Sequence, residues 1–205
     1  MCVDMKSQTR KTILAQGARL VYAKGFNHTG IGEILKAANV PKGSFYHYFA
    51  SKEDFGLALI DHMAAWAASV GDAALHDPDA SPLTRLRNYF QAYADRLEQN
   101  GFHGGCPVGN LCQEMSDQNE RFRQRLESIL EQMREKIGQC LQQARQSGEV
   151  SPGIDIDTTA GFILSAWQGT LLQAKALKSA APLAAFRQMV FDHLLKSGPP
   201  CHRQS

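Results

Sequence analysis

Apolar side chains recur along this chain at spacings of three and four, and strict alternation over a strand's length does not occur, so the pattern predicts an all-α protein. Ile13, Leu14, Gly17, Ala18 and Val21 mark one face of a first helix, with Lys24-Gly25 as its basic last turn and stop. Ile31, Ile34, Leu35 and Ala38 give a short second helix its face, and Val40, Phe45 and Phe49 do the same for a third. Phe55, Leu59, Met63 and Trp66 run down a fourth. Beyond a loop at His76-Asp77-Pro78-Asp79-Ala80-Ser81-Pro82, helical patterns follow at about 83–100, 109–117, 120–147, 157–178 and 182–196. The longest of them carries Leu126, Ile129, Met133, Ile137 and Leu141; the next carries Ala160, Ile163, Trp167, Leu171 and Ala174.

Punctuation between these faces places a tight turn before Pro41 and a helix start at Ser51, whose hydroxyl is suited to cap the amides two or three residues on. Thr29 is placed to cap the second helix in the same way. The resulting organisation is a module over residues 1–52, a larger helical body over 53–196, and a tail over 197–205, with Pro199 and Pro200, that is expected to fray.

Burying Phe45 and Phe49 turns Lys42, Ser44, Tyr46 and His47 outward, with Tyr48 at the edge of that face. Each can donate a hydrogen bond to a phosphate oxygen or a base edge. Gly43 costs about 1 kcal/mol relative to alanine early in a helix, a cost that makes sense where the backbone must approach another surface closely. Lys52, unfavourable beside the positive end of the fourth helix, makes sense facing a phosphate.

Charge agrees with this picture. The chain of 205 residues is only +2 overall, yet its first 52 residues hold eight Lys or Arg against two acids, so the remainder is four negative. A basic end on an acidic body is the asymmetry expected if one end meets DNA, although solvated charges can also cluster by chance. Five cysteines, an odd number, together with the absence of an apolar leader or a bilayer-length apolar run, argue for a reduced, cytoplasmic protein with no membrane partner.

The residues at 9–56 resemble the TetR (TetR/AcrR) family of transcriptional regulators. The resemblance is carried by Gly25-Phe26, Thr29, the run from Ile31 to Leu35, Ala38-Asn39-Val40 and above all the string Pro41-Lys42-Gly43-Ser44-Phe45-Tyr46-His47-Tyr48-Phe49, followed by Ser51-Lys52-Glu53. It implies a homodimer whose three amino-terminal helices bind a palindromic operator while a divergent body holds an effector pocket and pairs through the last two helices. By position it puts Lys42, Gly43 and Tyr46 at base edges, and Thr29, Ser44, His47, Tyr48 and Lys52 on phosphates.

A second string, Gly101-Phe102-His103-Gly104-Gly105-Cys106-Pro107-Val108-Gly109-Asn110-Leu111, looks like the NemR-like electrophile-sensing subgroup, which implies that Cys106 senses oxidants or electrophiles. A partly exposed glycine-rich loop running into a helix start favours thiolate, and His103 is placed to help when protonated. A buried thiol acting as a small hydrophobe is the competing reading, and Cys112, Cys140, Cys2 and Cys201 are weaker sensor candidates. Effector-pocket candidates are Trp66, Phe90, Tyr93, Phe102, Met115, Met133, Trp167 and Gln168, with Gln173 nearby; each aromatic also suits ordinary core.

Three rival functions fit the sequence less well. Zinc would recruit His103, Cys106 and Cys112, but no ligand pair has finger spacing. A cysteine-dependent enzyme would need an orienting group and an oxyanion motif that are not found near Cys106. A DNA-binding protein without an effector would have no need of so large a body. The expectation is therefore a regulator with no catalytic residues and no cofactor or metal.

Overall fold

The computed structural model describes residues 2–196; the expected tail at 197–205 lies outside them, as does Cys201. In chain order the helices are α1 (Cys2–Lys24), α2 (Ile31–Ala37), α3 (Phe45–Tyr48), α4 (Lys52–Leu75), α5 (Pro82–Gln99), α6 (Pro107–Met115), α7 (Glu120–Gln146), α8 (Ile156–Leu177) and α9 (Ala181–Arg187). A tight turn at Lys42–Ser44 leads into α3, and α9 continues through Gln188–Leu194 with wider winding, where the Leu195 amide reaches back to the Val190 carbonyl. Among the described residues there is no strand.

Contacts divide the described residues into two compact units: those up to Ala67 with Pro107–Ile129, and Ala68–Cys106 with those from Leu130. The boundary expected at residue 52 follows the motif, whereas packing draws the first two thirds of α4, all of α6 and the start of α7 into the first unit.

In that unit α1 stops where expected, and Gly25 takes φ +89, a left-handed turn that only glycine adopts without strain. Gly17 is buried because a Cβ there would lie 2.8 Å from Phe55 Cζ; the bare backbone of α1 is the floor on which α4 rests. Asn39 makes the tight turn after α2 at φ 55, and the Val40 amide closes it on the Leu35 carbonyl at 2.9 Å. Pro41 lies just before the turn at Lys42–Ser44, with φ −58 matching its ring. Ser51 caps α4 as expected, its Oγ accepting from the Asp54 amide at 3.0 Å.

The second unit is built on aromatic packing. Phe90, Trp167 and Phe186 pack mutually in tilted and edge-on pairs at 4.9–5.0 Å between centroids, and Phe191 and Tyr93 adjoin them. Asp155 caps α8 by accepting from the Thr158 amide, and Ser81 caps α5 by accepting from that of Thr84. Both side chains are of the short polar kind that satisfies the free amides of a helix start.

Candidate nucleic-acid interface and cysteine site

Three phenylalanines hold the reading helix from behind. Phe45, Phe49 and Phe55 are all nearly inaccessible and lie 5.1–5.9 Å apart, so α3 is fixed by its inner face. The outer face is then open: Lys42, Gly43 and His47 are exposed, Ser44 and Tyr48 half-buried, and Tyr46 is 72% exposed although it is a large aromatic. Nothing within 4 Å would meet a Cβ at Gly43, so no internal contact explains glycine there. Lys52 is exposed at the start of α4, its ammonium 5.3 Å above the Phe26 ring.

Thr29 departs from expectation. The residue before α2 is Gly30, which has no side-chain cap, while Thr29 is 4% exposed and its hydroxyl donates to the Gly25 carbonyl at 2.6 Å. The hydroxyl braces the α1–α2 turn from within, and burial removes it from the phosphate-facing set. Periodicity could not reveal this, because a threonine one residue before a cap and a threonine at the cap read alike.

Two further residues of this unit were not singled out from the sequence. The Arg10 guanidinium lies 4.9 Å over the Phe49 ring, adding a cation beside the end of α3. Glu114, on α6, accepts from the Phe26 and Asn27 amides at 2.8 and 2.7 Å. A lone glutamate on a helix face carries no signal of such a partner; only the amides left over after Gly25 hint that some acceptor is needed.

In the second unit the loop before α6 winds through left-handed residues: Gly101 at φ 60, Phe102 at 59, Gly104 at 90 and Gly105 at 77. Lys178, itself left-handed at the end of α8, donates from Nζ to the Phe102 carbonyl at 3.0 Å, and Lys175 Cδ passes 3.7 Å from the position of a Gly105 Cβ. The thiol is more enclosed than expected. Cys106 is 8% exposed and Gln168 Nε2 donates to its Sγ at 3.4 Å, while exposed His103 turns Nδ1 to the Asn100 carbonyl instead. The helix starts at once with Pro107, two residues before the apolar pattern places it. Cys112 is half-buried, and Cys140 is buried with its thiol pKa pushed up by desolvation.

Of the pocket candidates, Phe90, Tyr93 and Trp167 come together in the second unit, and Gln168 joins Cys106 there. Tyr89 and Tyr93 are hydrogen-bonded to one another, and burial pushes Tyr89 up to about 12 and Tyr93 higher still, so both remain neutral donors. Gly71 makes room for them: a Cβ would stand 2.5 Å from Tyr89 Cδ2. Phe102 and Met133 are half-buried in the same unit. Trp66 and Met115 belong to the first unit instead, where Trp66 lies edge-on to Tyr22 at 5.3 Å and Met115 is core. Among the described residues no cluster of three His, Cys, Asp or Glu side chains could hold a metal, and no helix is long and apolar enough to cross a membrane.

A short helix held by its buried side, open and basic on the other, and preceded by a tight turn from a second helix, defines a helix-turn-helix DNA-binding protein. Comparison with known proteins makes the class specific. Residues 13–59 match the bacterial regulatory proteins of the tetR family, and residues 82–190 match the tetracyclin repressor-like C-terminal domain. The chain is 38% identical over 189 residues to the transcriptional regulator AcuR of Cereibacter sphaeroides, covering 92% of this chain and 86% of that one. It is 33% identical over 176 residues to the transcriptional repressor NemR of Escherichia coli, covering 85% and 88% of the two chains. The crystal structure of the reduced form of E. coli NemR superposes with a TM-score of 0.82 at 32% identity, covering 94% of this chain and all, 100%, of that one. The chain belongs to the TetR family of bacterial transcriptional regulators; it is a DNA-binding regulator and not an enzyme.

Proposed function

We propose that this protein is a homodimeric repressor of a palindromic operator, released by a small molecule or by an electrophile that reaches Cys106. The observation that carries the DNA reading is the outer face of α3, where Tyr46 stands 72% exposed beside Lys42 and a Gly43 that nothing inside the fold requires. Lys42, Gly43 and Tyr46 read base edges, while Ser44, His47, Tyr48 and Lys52 bind phosphates. Two such helices in a dimer meet major-groove faces about 34 to 36 Å apart, or a small multiple of a turn.

α8 supports the dimer. Its buried face is Ala160, Ile163, Leu164, Trp167, Thr170, Leu171 and Ala174, yet Phe162 and Leu172 on the opposite side are 58% and 51% exposed, as is Leu177 at the helix end, at 64%. Met189 and Leu194 after α9 are likewise exposed, and such apolar surface on the last two helices suits a symmetric four-helix contact. Effector binding acts by shifting α4, which changes the separation of the two reading heads; a few kcal/mol of differential affinity, about 3, suffices.

A second reading is favoured by the enclosure of the Cys106 thiol and the aromatic cluster beside Trp167: a non-covalent effector held in the second unit, with Gln168 and the tyrosine hydroxyls as polar contacts. Binding-site selection with the purified protein is expected to return an inverted repeat, and N-ethylmaleimide is expected to release it. Cys106→Ser should bind the same repeat and resist the reagent. Release that persists in this variant moves sensing to another thiol, whereas a parent indifferent to the reagent favours the non-covalent pocket.

A further inference from the structure

Past Gly25, where α1 has ended, the amides of Phe26 and Asn27 point to the same place, and both are taken by one carboxylate. Glu114 Oε2 accepts from Phe26 at 2.8 Å and Oε1 from Asn27 at 2.7 Å. Successive backbone N–H groups in a turn form a seat for an anion, and a carboxylate bonded twice by charge-assisted hydrogen bonds is held in both position and angle. The seat depends on the glycine before it: a Cβ at Gly25 would lie 2.9 Å from one Glu114 oxygen and 3.0 Å from the other. The turn is rigid in its own right, since Thr29 donates to the Gly25 carbonyl from its hydroxyl and to the Phe26 carbonyl from its amide. The direction in which this turn launches α2 is therefore tied to α6.

The stretch after α6 fastens the other end of the reading module. Asn119 Nδ2 donates to Glu53 Oε1 at 2.9 Å, and Arg121 approaches Glu53 Oε2 at 3.3 Å, both at the first turn of α4. Phe122 lies edge-on to Phe26 at 5.9 Å and occupies the space over Gly56, where a Cβ would meet its ring at 2.6 Å. Residues 114–122 thus grip the module at the α1–α2 turn and at the start of α4, the two points between which α3 hangs. α6 begins at the residue following Cys106, so the chain leads directly from the cysteine loop into this grip.

We infer that Glu114 is a positioning residue for operator recognition: touching no DNA, it sets the angle at which α2 and α3 are presented and makes that angle depend on α6. A bond that merely added stability would leave operator affinity unchanged well below the melting temperature. The inference rests on the DNA-reading surface proposed above.

The test uses full-length protein and, as probe, the tightest duplex that selection with the parent returns. In Glu114→Ala the affinity for that duplex is expected to fall by about tenfold or more, with Glu114→Gln, which keeps one acceptor oxygen, in between. The slope of log affinity against log salt should match the parent, because no phosphate contact is lost. Hydrogen exchange at the Phe26 and Asn27 amides should quicken in Glu114→Ala. Binding by both folded variants within about twofold of the parent overturns the inference, and so does a changed salt slope or unaltered exchange at those amides. Tyr46→Ala is the control: it weakens binding without altering that exchange, so failure of the reading surface and failure of the positioning role are told apart.

Discussion

Tyr46 is where residue-scale physics bears most directly on function. A phenol 72% exposed on a helix that is anchored by buried Phe45 gains little from the fold, so removing it should cost the fold little. Tyr46→Ala is expected to leave thermal stability nearly unchanged and to weaken operator binding by roughly 1–3 kcal/mol, measured by titration of a selected duplex. Lys52 should behave differently. Its ammonium sits over the Phe26 ring, but its charge is exposed, so Lys52→Ala should weaken binding to every sequence and reduce the salt slope by about one unit. An unchanged slope would remove Lys52 from the phosphate contacts. Thr29 shows the limit of residue-scale reading: its type suited a cap or a phosphate contact, and burial at 4% assigned it to the inside of the turn.

At the scale of elements, helix faces were legible in the apolar spacing and helix ends in the punctuation. Ser51, Ser81 and Asp155 cap α4, α5 and α8 by short polar side chains, and Gly25 ends α1 because it alone accepts φ +89 without strain. What spacing does not encode is which element lies on which. Gly17 falls in the apolar face of α1 and reads as an ordinary small core residue, yet its missing Cβ is what lets Phe55 of α4 sit against the α1 backbone at 2.8 Å from the ideal Cβ position. Gly17→Ala is therefore expected to destabilise the protein by about 1–3 kcal/mol through overpacking, despite alanine's better helix propensity. Chemical denaturation checks this; a stabilised variant would mean that Phe55 yields easily. The glycine-rich string before α6 was visible as a loop, but its fastening by Lys178 and the contact of Gln168 with Cys106 join residues 62 or more positions apart.

For the molecule as a whole, the apolar outer side of α8 makes the strongest prediction. A helix with Trp167 on one face and Phe162 and Leu172 on the other has more apolar surface than one chain buries. Gly169, with nothing within 4 Å of a Cβ, leaves room for close approach on that outer side. Placing charge there by Phe162→Glu together with Met189→Glu should convert the protein to a monomer in sedimentation and weaken operator binding, since a single head meets only half of a palindrome. A dimer that survives both substitutions would move the interface elsewhere. By itself the amino-acid sequence determined the helical class, the reading string from Pro41 to Lys52 and its family, because periodicity, capping and a contiguous motif are local properties of the chain. Only the tertiary structure decided that Thr29 faces inward, that the Cys106 thiol is enclosed beside Gln168, and that Glu114 holds the α1–α2 turn from 88 residues away. Each of these depends on contacts between residues remote in sequence, and such contacts leave no spacing to read.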